Sequence, residues 1–183
     1  NKVWVGLSKE TAHQLGTPIS SLMAWMDLLE SSGVDPSLLS DMNKDVNRLS
    51  VIAERFSKIG SKPEMELIYV NEVLENATEY MRRRVSDKVL ITTHLPSDAE
   101  GAMVCLSLFE WVIENLCKNA VDAMNGEGRI DVYMTSEKQQ IYIDIKDTGK
   151  GIARKNFKTV FNPGYTTKKR GWGLGLTLAK RII

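Results

Sequence analysis

The sequence predicts an α+β chain in which an antiparallel two-helix hairpin precedes an α/β sandwich. Three observations lead there. Two N-terminal stretches carry apolar residues at spacings of four and three, as paired helices do. A Gly60-Ser-Lys-Pro63 linker follows them. Beyond it, alternating strand-like runs are interleaved with helices, which indicates a sheet covered on one side. The division expected is residues 1–62 for the hairpin and 63–183 for the sandwich.

The first helix is expected from about Val3 to Ser32. Its seam comprises Leu15, Ile19, Leu22, Met26 and Leu29, extended backwards by Ala12 and Val5. His13 lies one step off that seam and faces outward, presented rather than packed. Pro18 has no N–H to give and crowds the carbonyl of Gln14, so a kink is expected just after His13. In a helix interior a proline costs about 3 kcal/mol. Two readings stand at this point: a histidine offered to a reaction, or an ordinary kinked bundle helix with a surface histidine. Gly33 suits a left-handed C-terminal cap, and Asp35-Pro36 supplies an N-cap and a first-turn proline. The second helix carries its own seam at Met42, Val46, Leu49, Ala53 and Phe56. So short a connection makes the helices antiparallel neighbours. Two helices cannot cover both seams, so a second hairpin is expected, giving a dimeric four-helix bundle.

After the linker, Leu67 to Val70 reads as a short strand and Asn71 to Arg84 as a helix capped by Asn71. Val89 to Leu95 alternates like a strand, with His94 on its more polar face. Ser107-x-x-Glu110 has the pattern of a capping box opening a long helix to about Asn125. Arg129 to Thr135 and Gln140 to Asp147 alternate around a short polar turn, which is a hairpin. A glycine-punctuated segment leads to a last helix from about Leu174 to Ile183.

Composition narrows the class. With 183 residues, 43% hydrophobic and a net charge of +1, the chain builds one or two small domains, and nothing points to nucleic acid or an anionic membrane as the main partner. Cys105 and Cys117 lack metal or redox spacing and read as apolar thiols in a reducing compartment. No apolar run has the length of a membrane span and no signal peptide is visible. Starting at Asn1 inside a helical pattern, the chain reads as a cytoplasmic fragment, with any membrane anchor expected only upstream. Arg82-Arg-Arg84 suits a helix C-terminus. Trp25 and Trp111 are expected to pack.

Four stretches of the second half concentrate chemistry. On the long helix, Asn115, Lys118, Asn119 and Asp122 fall on one polar face. Two carboxamides and an ammonium in a stripe suit a hydrated metal and a polyphosphate, or else a hydrogen-bonded surface. Asp147-Thr-Gly-Lys-Gly151 sets a carboxylate at a strand end before glycines that admit close approach, which suits a ligand's exocyclic amine. Phe161-Asn-Pro-Gly-Tyr-Thr-Thr-Lys168 is rich in turn formers and runs into Lys168-Lys-Arg170. Gly171-Trp-Gly-Leu-Gly-Leu176 opens directly onto the last helix, whose N–H groups can meet phosphate oxygens. Neither the Walker loop nor the dinucleotide glycine pattern is present.

In this order the four stretches resemble the N, G1, F and G2 boxes of the histidine-kinase ATP-binding domain. That domain has the GHKL (Bergerat) fold shared with DNA gyrase and MutL. With His13-Gln-Leu-Gly-Thr-Pro18 as the H-box, the chain resembles a two-component sensor histidine kinase along nearly its whole length. The resemblance selects the presented histidine over the surface one.

It implies ATP and Mg2+ as cofactors, and a response-regulator receiver domain as partner. By similarity Asn119 holds magnesium, with Asn115 and Lys118 near the phosphates. Asp147 binds the adenine amine in a pocket shaped by Gly149 and Gly151. Residues from about Val160 to Trp172 form a lid, in which Thr167, Lys168 and Arg170 approach the nucleotide. Gly171, Gly173, Leu174 and Gly175 bring backbone to the phosphates. His13 accepts the γ-phosphoryl group, and Thr17 occupies the position that helps dephosphorylate the partner aspartate. Gyrase-like ATPases carry a water-activating glutamate where this chain has Asn115, and an amide is no general base.

Departures are equally specific. Gln14 replaces the usual acidic neighbour of the phosphorylated histidine, Gly16 a basic residue, and Asp122 a frequent lysine. The family's strands after the last helix are not in this sequence. Two alternatives are a nucleotide-binding scaffold that relays no phosphate, which Gln14 alone favours, and a GHKL ATPase.

Overall fold

The computed structural model describes residues 2–168 and 173–183; side chains are described from residue 6 onward, Leu7 excepted. The chain divides into two compact units, residues 1–64 and 65–183.

In the first unit, α1 (Lys2–Ser31) and α2 (Pro36–Gly60) form the hairpin. Gly33 has φ +76, and the N–H of Val34 returns to the carbonyl of Leu29, so the helix end closes as its glycine requires. Asp35 caps α2 through a 2.8 Å bond from the Ser37 N–H. The helix α1 runs unbroken through Pro18, and the hydroxyls of Ser20 and Ser21 bond back to Gly16 and Thr17 beside it. Ile19, Met26, Val46 and Ala53 are buried together, with Leu15 packed against them. The seam also passes through Ser8, which is buried with no partner for its hydroxyl among the described residues. Val5, expected on that seam, lies outside the described side chains.

The rest of each seam is only partly covered within one chain: Ala12, Leu29 and Phe56 are half-buried. Leu22, Met42 and Leu49 are exposed, and Trp25, expected to pack, is 64% exposed. Intrachain pairing covers one flank of each helix only.

Among its described residues, the second unit holds two sheets and three α-helices. Strands β1 (Glu66–Tyr69) and β3 (Gly101–Val104) pair antiparallel. Strand β2 (Val89–His94) runs parallel to β4 (Gly128–Glu137), which pairs antiparallel with β5 (Gln140–Asp147). Lys138 and Gln139 both take positive φ in the two-residue turn that joins β4 to β5. Helices α3 (Val70–Arg82), α4 (Leu106–Ala123) and α5 (Gly175–Ile182) complete the unit. Leu74, Ile113, Cys117, Ile130 and Val132 form the centre of its core. Among the described residues, no helix is long and apolar enough to cross a membrane.

Two expected caps are not made. Helix α3 starts at Val70, held by its N–H to the Glu100 carbonyl, so Asn71 lies inside the first turn with its Oδ1 unpartnered. Helix α4 starts one residue before Ser107, after Cys105, and has no side-chain cap. In both cases the preceding strand delivers the chain earlier than the capping pattern suggests. Strand β3 carries too short an apolar run to read from sequence; its pairing with β1 creates it.

Candidate functional site

Four predicted stretches converge in the second unit on the C-terminal half of α4. The i, i+3, i+4 and i+7 stripe of Asn115, Lys118, Asn119 and Asp122 is real, but its members differ in setting. Asn115 and Asn119 are half-buried, while Lys118 and Asp122 are exposed.

Asn115 lies against the start of α5. A Cβ on Gly175 would stand 2.5 Å from Asn115 Oδ1, so glycine is what lets helix and side chain meet. The Asn115 Nδ2 is buried without a hydrogen-bond partner among the described residues. A buried donor with no acceptor is costly unless a ligand supplies one.

Asn119 accepts a 3.0 Å hydrogen bond from the ammonium of Lys168, forty-nine residues away in sequence. The same ammonium is ion-paired with Asp122. Two side-chain oxygens one helical turn apart therefore surround one positive charge. Both are hard oxygen donors, the ligand type that suits a positive charge.

Asp147 ends β5 and accepts the Gly149 N–H at 2.8 Å, forming a tight turn. That turn is strapped to α4: the Lys150 N–H donates to the Ala123 carbonyl at 3.2 Å, and a Cβ on Gly149 would stand 2.7 Å from the Ala123 carbonyl carbon. Thr148 locks the other side, its backbone N–H bonding Arg129 O and its hydroxyl accepting from Arg129 N. Asp147 is thereby fixed relative to Asn119. An apolar cavity of about 640 Å3 runs between α4, α5 and β5, with Asn119, Asp147, Gly151 and Ile152 on its wall.

Single 3-10 turns at Arg154–Asn156 and Thr159–Phe161 lead into the glycine-rich segment. The Gly164 N–H donates to Gly173 O at 3.0 Å, closing the loop base, and the Thr177 hydroxyl on α5 donates to Phe161 O at 2.9 Å. Thr167 is exposed, with no side-chain partner among the described residues, and Leu174 precedes α5 without a side-chain cap. Arg170, Gly171 and Trp172 lie outside the described residues.

In the first unit His13 is exposed, as are Gln14 and Thr17. Gln14 donates its amide to Glu10 at 2.7 Å. Sequence reasoning placed Asp122 on the polar stripe and as a departure from the family, and did not find its bond to Lys168, a long-range pairing with no local signal. His94, read on the polar face of its strand, is exposed as expected, but its partners were not foreseen. His94 bonds Asp131 at 3.0 Å and stacks on Tyr133 at 4.3 Å, while Arg129 holds the other Asp131 oxygen at 2.8 Å. The hydrogen bond from His94, with the Arg129 guanidinium, holds the Asp131 carboxyl below its ordinary value.

The helix-backed mixed sheet, with its polar stripe, strapped aspartate and a loop closed at its base by Gly164 and Gly173, has a GHKL-type fold. Comparison with known proteins agrees. Residues 106–183 match the family described as histidine kinase-, DNA gyrase B-, and HSP90-like ATPase. The signal transduction histidine-protein kinase AtoS of Escherichia coli is 28% identical over 94% of this chain and 29% of its own length. Sporulation kinase D of Bacillus subtilis is 26% identical over 97% of this chain and 36% of its own. Full-length ShkA, solved with AMPPNP, shares the fold with a TM-score of 0.71 at 19% identity, over 97% of this chain and 40% of that one. A mycobacterial sensor kinase, MprB, matches with a TM-score of 0.57 at 23% identity, over 64% and 77%. The chain spans about a third of the length of the curated relatives it matches. It has the two-part architecture of a sensor histidine kinase catalytic core: helical hairpin, then ATP-binding domain.

Proposed function

We propose that this chain transfers the γ-phosphoryl group of ATP to its own His13 and then to an aspartate of a response-regulator receiver domain. The observation that carries this reading is His13 itself, exposed on a hairpin whose seam residues Ile19 and Met26 are buried. A ring nitrogen of neutral His13 attacks the γ-phosphorus in line. The new N–P bond forms as the bond to the β-phosphate oxygen breaks, ADP leaves, and the ring releases its N–H proton. Positioning and charge neutralisation supply most of the acceleration.

Asn119 would hold Mg2+, which when bound neutralises charge on the phosphate oxygens. The fit is supported by the Asn119 side-chain oxygen, a hard donor that already accepts a hydrogen bond from the positively charged Lys168 ammonium. Asp147 takes the adenine amine, and the Asn115 amide, unpartnered among the described residues, is free to donate to the nucleotide. Lys118, Thr167, Lys168 and Arg170 serve the phosphates. Gly149 and Gly151 shape the adenine pocket, and Gly171, Gly173, Leu174 and Gly175 form the approach to α5. An amide at position 115 leaves water without a general base, which favours histidine over water as acceptor. Exposed Leu22, Trp25, Met42 and Leu49 favour a homodimer through the hairpin. The two free cysteines suit a cytoplasmic setting. Thr17, exposed one turn after His13, suits the reverse reaction on the regulator.

The test is phosphate incorporation from γ-labelled ATP with magnesium. Acid-labile label that vanishes in His13→Gln is the expected result. Gln14→Glu, which restores a carboxylate beside the histidine, should label faster. No label despite ATP binding would leave a nucleotide-binding scaffold, and label surviving in His13→Gln would move the acceptor elsewhere.

A further inference from the structure

The groups assigned to the γ-phosphate and to magnesium are bonded to each other. Lys168 Nζ donates to Asn119 Oδ1 at 3.0 Å and is ion-paired with Asp122. An ammonium has three protons and one charge. With two protons on α4 and its charge matched by Asp122, little is left for a phosphate. The Asn119 oxygen that a divalent cation needs is likewise taken. We infer that Asp122 is a positioning residue for the lid: with Asn119 it latches Lys168 onto α4, and Mg2+-nucleotide must displace that ammonium to bind. The inference rests on the nucleotide-site reading above.

The backbone supports a latch rather than a chance surface contact. The loop is pinched at its base by the Gly164 N–H to Gly173 O bond, and the Thr166 hydroxyl accepts the Lys168 N–H at 3.1 Å, setting the direction in which Lys168 leaves the chain. Lys168 is 42% exposed and Asp122 54% exposed at their side chains. The pair is therefore partly screened, and it biases the lid about two- to five-fold rather than locking it. A weak latch of this kind reduces apparent affinity by the fraction of time it is closed, and opens readily once a competing cation and anion arrive together.

The experiment is hydrogen exchange at residues 165–168 of the full chain, without nucleotide and with chelator present. Asp122→Ala should exchange about two- to five-fold faster than wild type, and 0.5 M NaCl should remove the difference. In a Lys168→Met background, Asp122→Ala should add nothing. Wild-type exchange in Asp122→Ala, or an equal acceleration without Lys168, would overturn the latch. Mg2+-ADP titration gives the second arm. Asp122→Ala should bind about two- to five-fold more tightly, and only where Lys168 is present. Weaker binding would make Asp122 a cation ligand instead and overturn the proposal. A chain that binds no ADP at all would refute the nucleotide site, while the exchange arm would still decide the latch.

Discussion

Replacing Gly149 by alanine tests the strap that fixes Asp147 against α4. The new Cβ would stand 2.7 Å from the Ala123 carbonyl carbon and 2.8 Å from both its oxygen and its Cβ. Carbon atoms in contact sit at roughly 3.5–4.0 Å, so the turn must retreat by nearly an ångström from backbone that cannot swing away. Overpacking of this kind costs about 1–3 kcal/mol. The retreat also stretches the Lys150 N–H bond to Ala123 O, worth about 1 kcal/mol. Together these give about 2–4 kcal/mol of local destabilisation. The Lys150 amide should then exchange with solvent roughly 30- to 1,000-fold faster, since about 1.4 kcal/mol is a factor of ten. Because Asp147 moves with the turn, Mg2+-ADP affinity should fall at least about tenfold on the same scale. Gly151→Ala is the matched control. Gly151 has φ +69 with open space around it, so alanine there meets only backbone strain of about 1–2 kcal/mol. A Gly149→Ala protein with wild-type Lys150 exchange, or a larger effect on that exchange from Gly151→Ala, would refute the steric account.

Three further outcomes follow from the second unit. Leu74 is fully buried in its core, and Leu74→Ala should cost about 2–5 kcal/mol, read as a lowered urea midpoint. Asp131 titrates below its ordinary 3.8 in the folded protein, so its contribution is complete above that value and lost as pH falls through the depressed one. The stability difference between wild type and Asp131→Asn should therefore be present at neutral pH and close on acidification; a difference that grows below pH 3.8 would contradict the sign. Burial, with the Glu114 charge adding to it, pushes the Cys117 thiol up to about 11, whereas Cys105 is half-buried. A thiol reagent at pH 8 should modify Cys105 well before Cys117 in the folded protein, and mass spectrometry of the modified peptides checks the order.

Periodic features were legible in the sequence because they repeat. Both seams, the hairpin β4–β5, the polar stripe on α4 and the outward-facing His13 follow from spacing that any helix or strand imposes. What failed to show were contacts set by tertiary structure. Asn71 and Ser107 have capping composition, yet the strands before them enter the helices a residue early and leave both inside the first turn. The Lys168 pairing with Asn119 and Asp122 joins residues more than forty positions apart. The hydroxyl of Ser8 is buried on the seam, where the spacing predicts an apolar group.

The glycines show the same division most clearly. In the sequence those from Gly149 to Gly175 around the site read alike, as places where a backbone approaches a ligand. In the structure the space beside Gly149 is filled by Ala123, that beside Gly173 by the backbone of Gly164 and Tyr165, and that beside Gly175 by Asn115. These three are small because the protein itself occupies the room. Each joins a separate element to α4 or to the loop base, so one missing Cβ apiece holds the polar stripe, the Asp147 turn and α5 in register. Gly151 has nothing beside it and differs in kind. A glycine pattern that reads as a nucleotide signature is thus in large part a packing code for the helix that carries Asn115 and Asn119. That is why substitutions at Gly149, Gly173 or Gly175 should disturb nucleotide binding through geometry, even where no glycine touches the nucleotide.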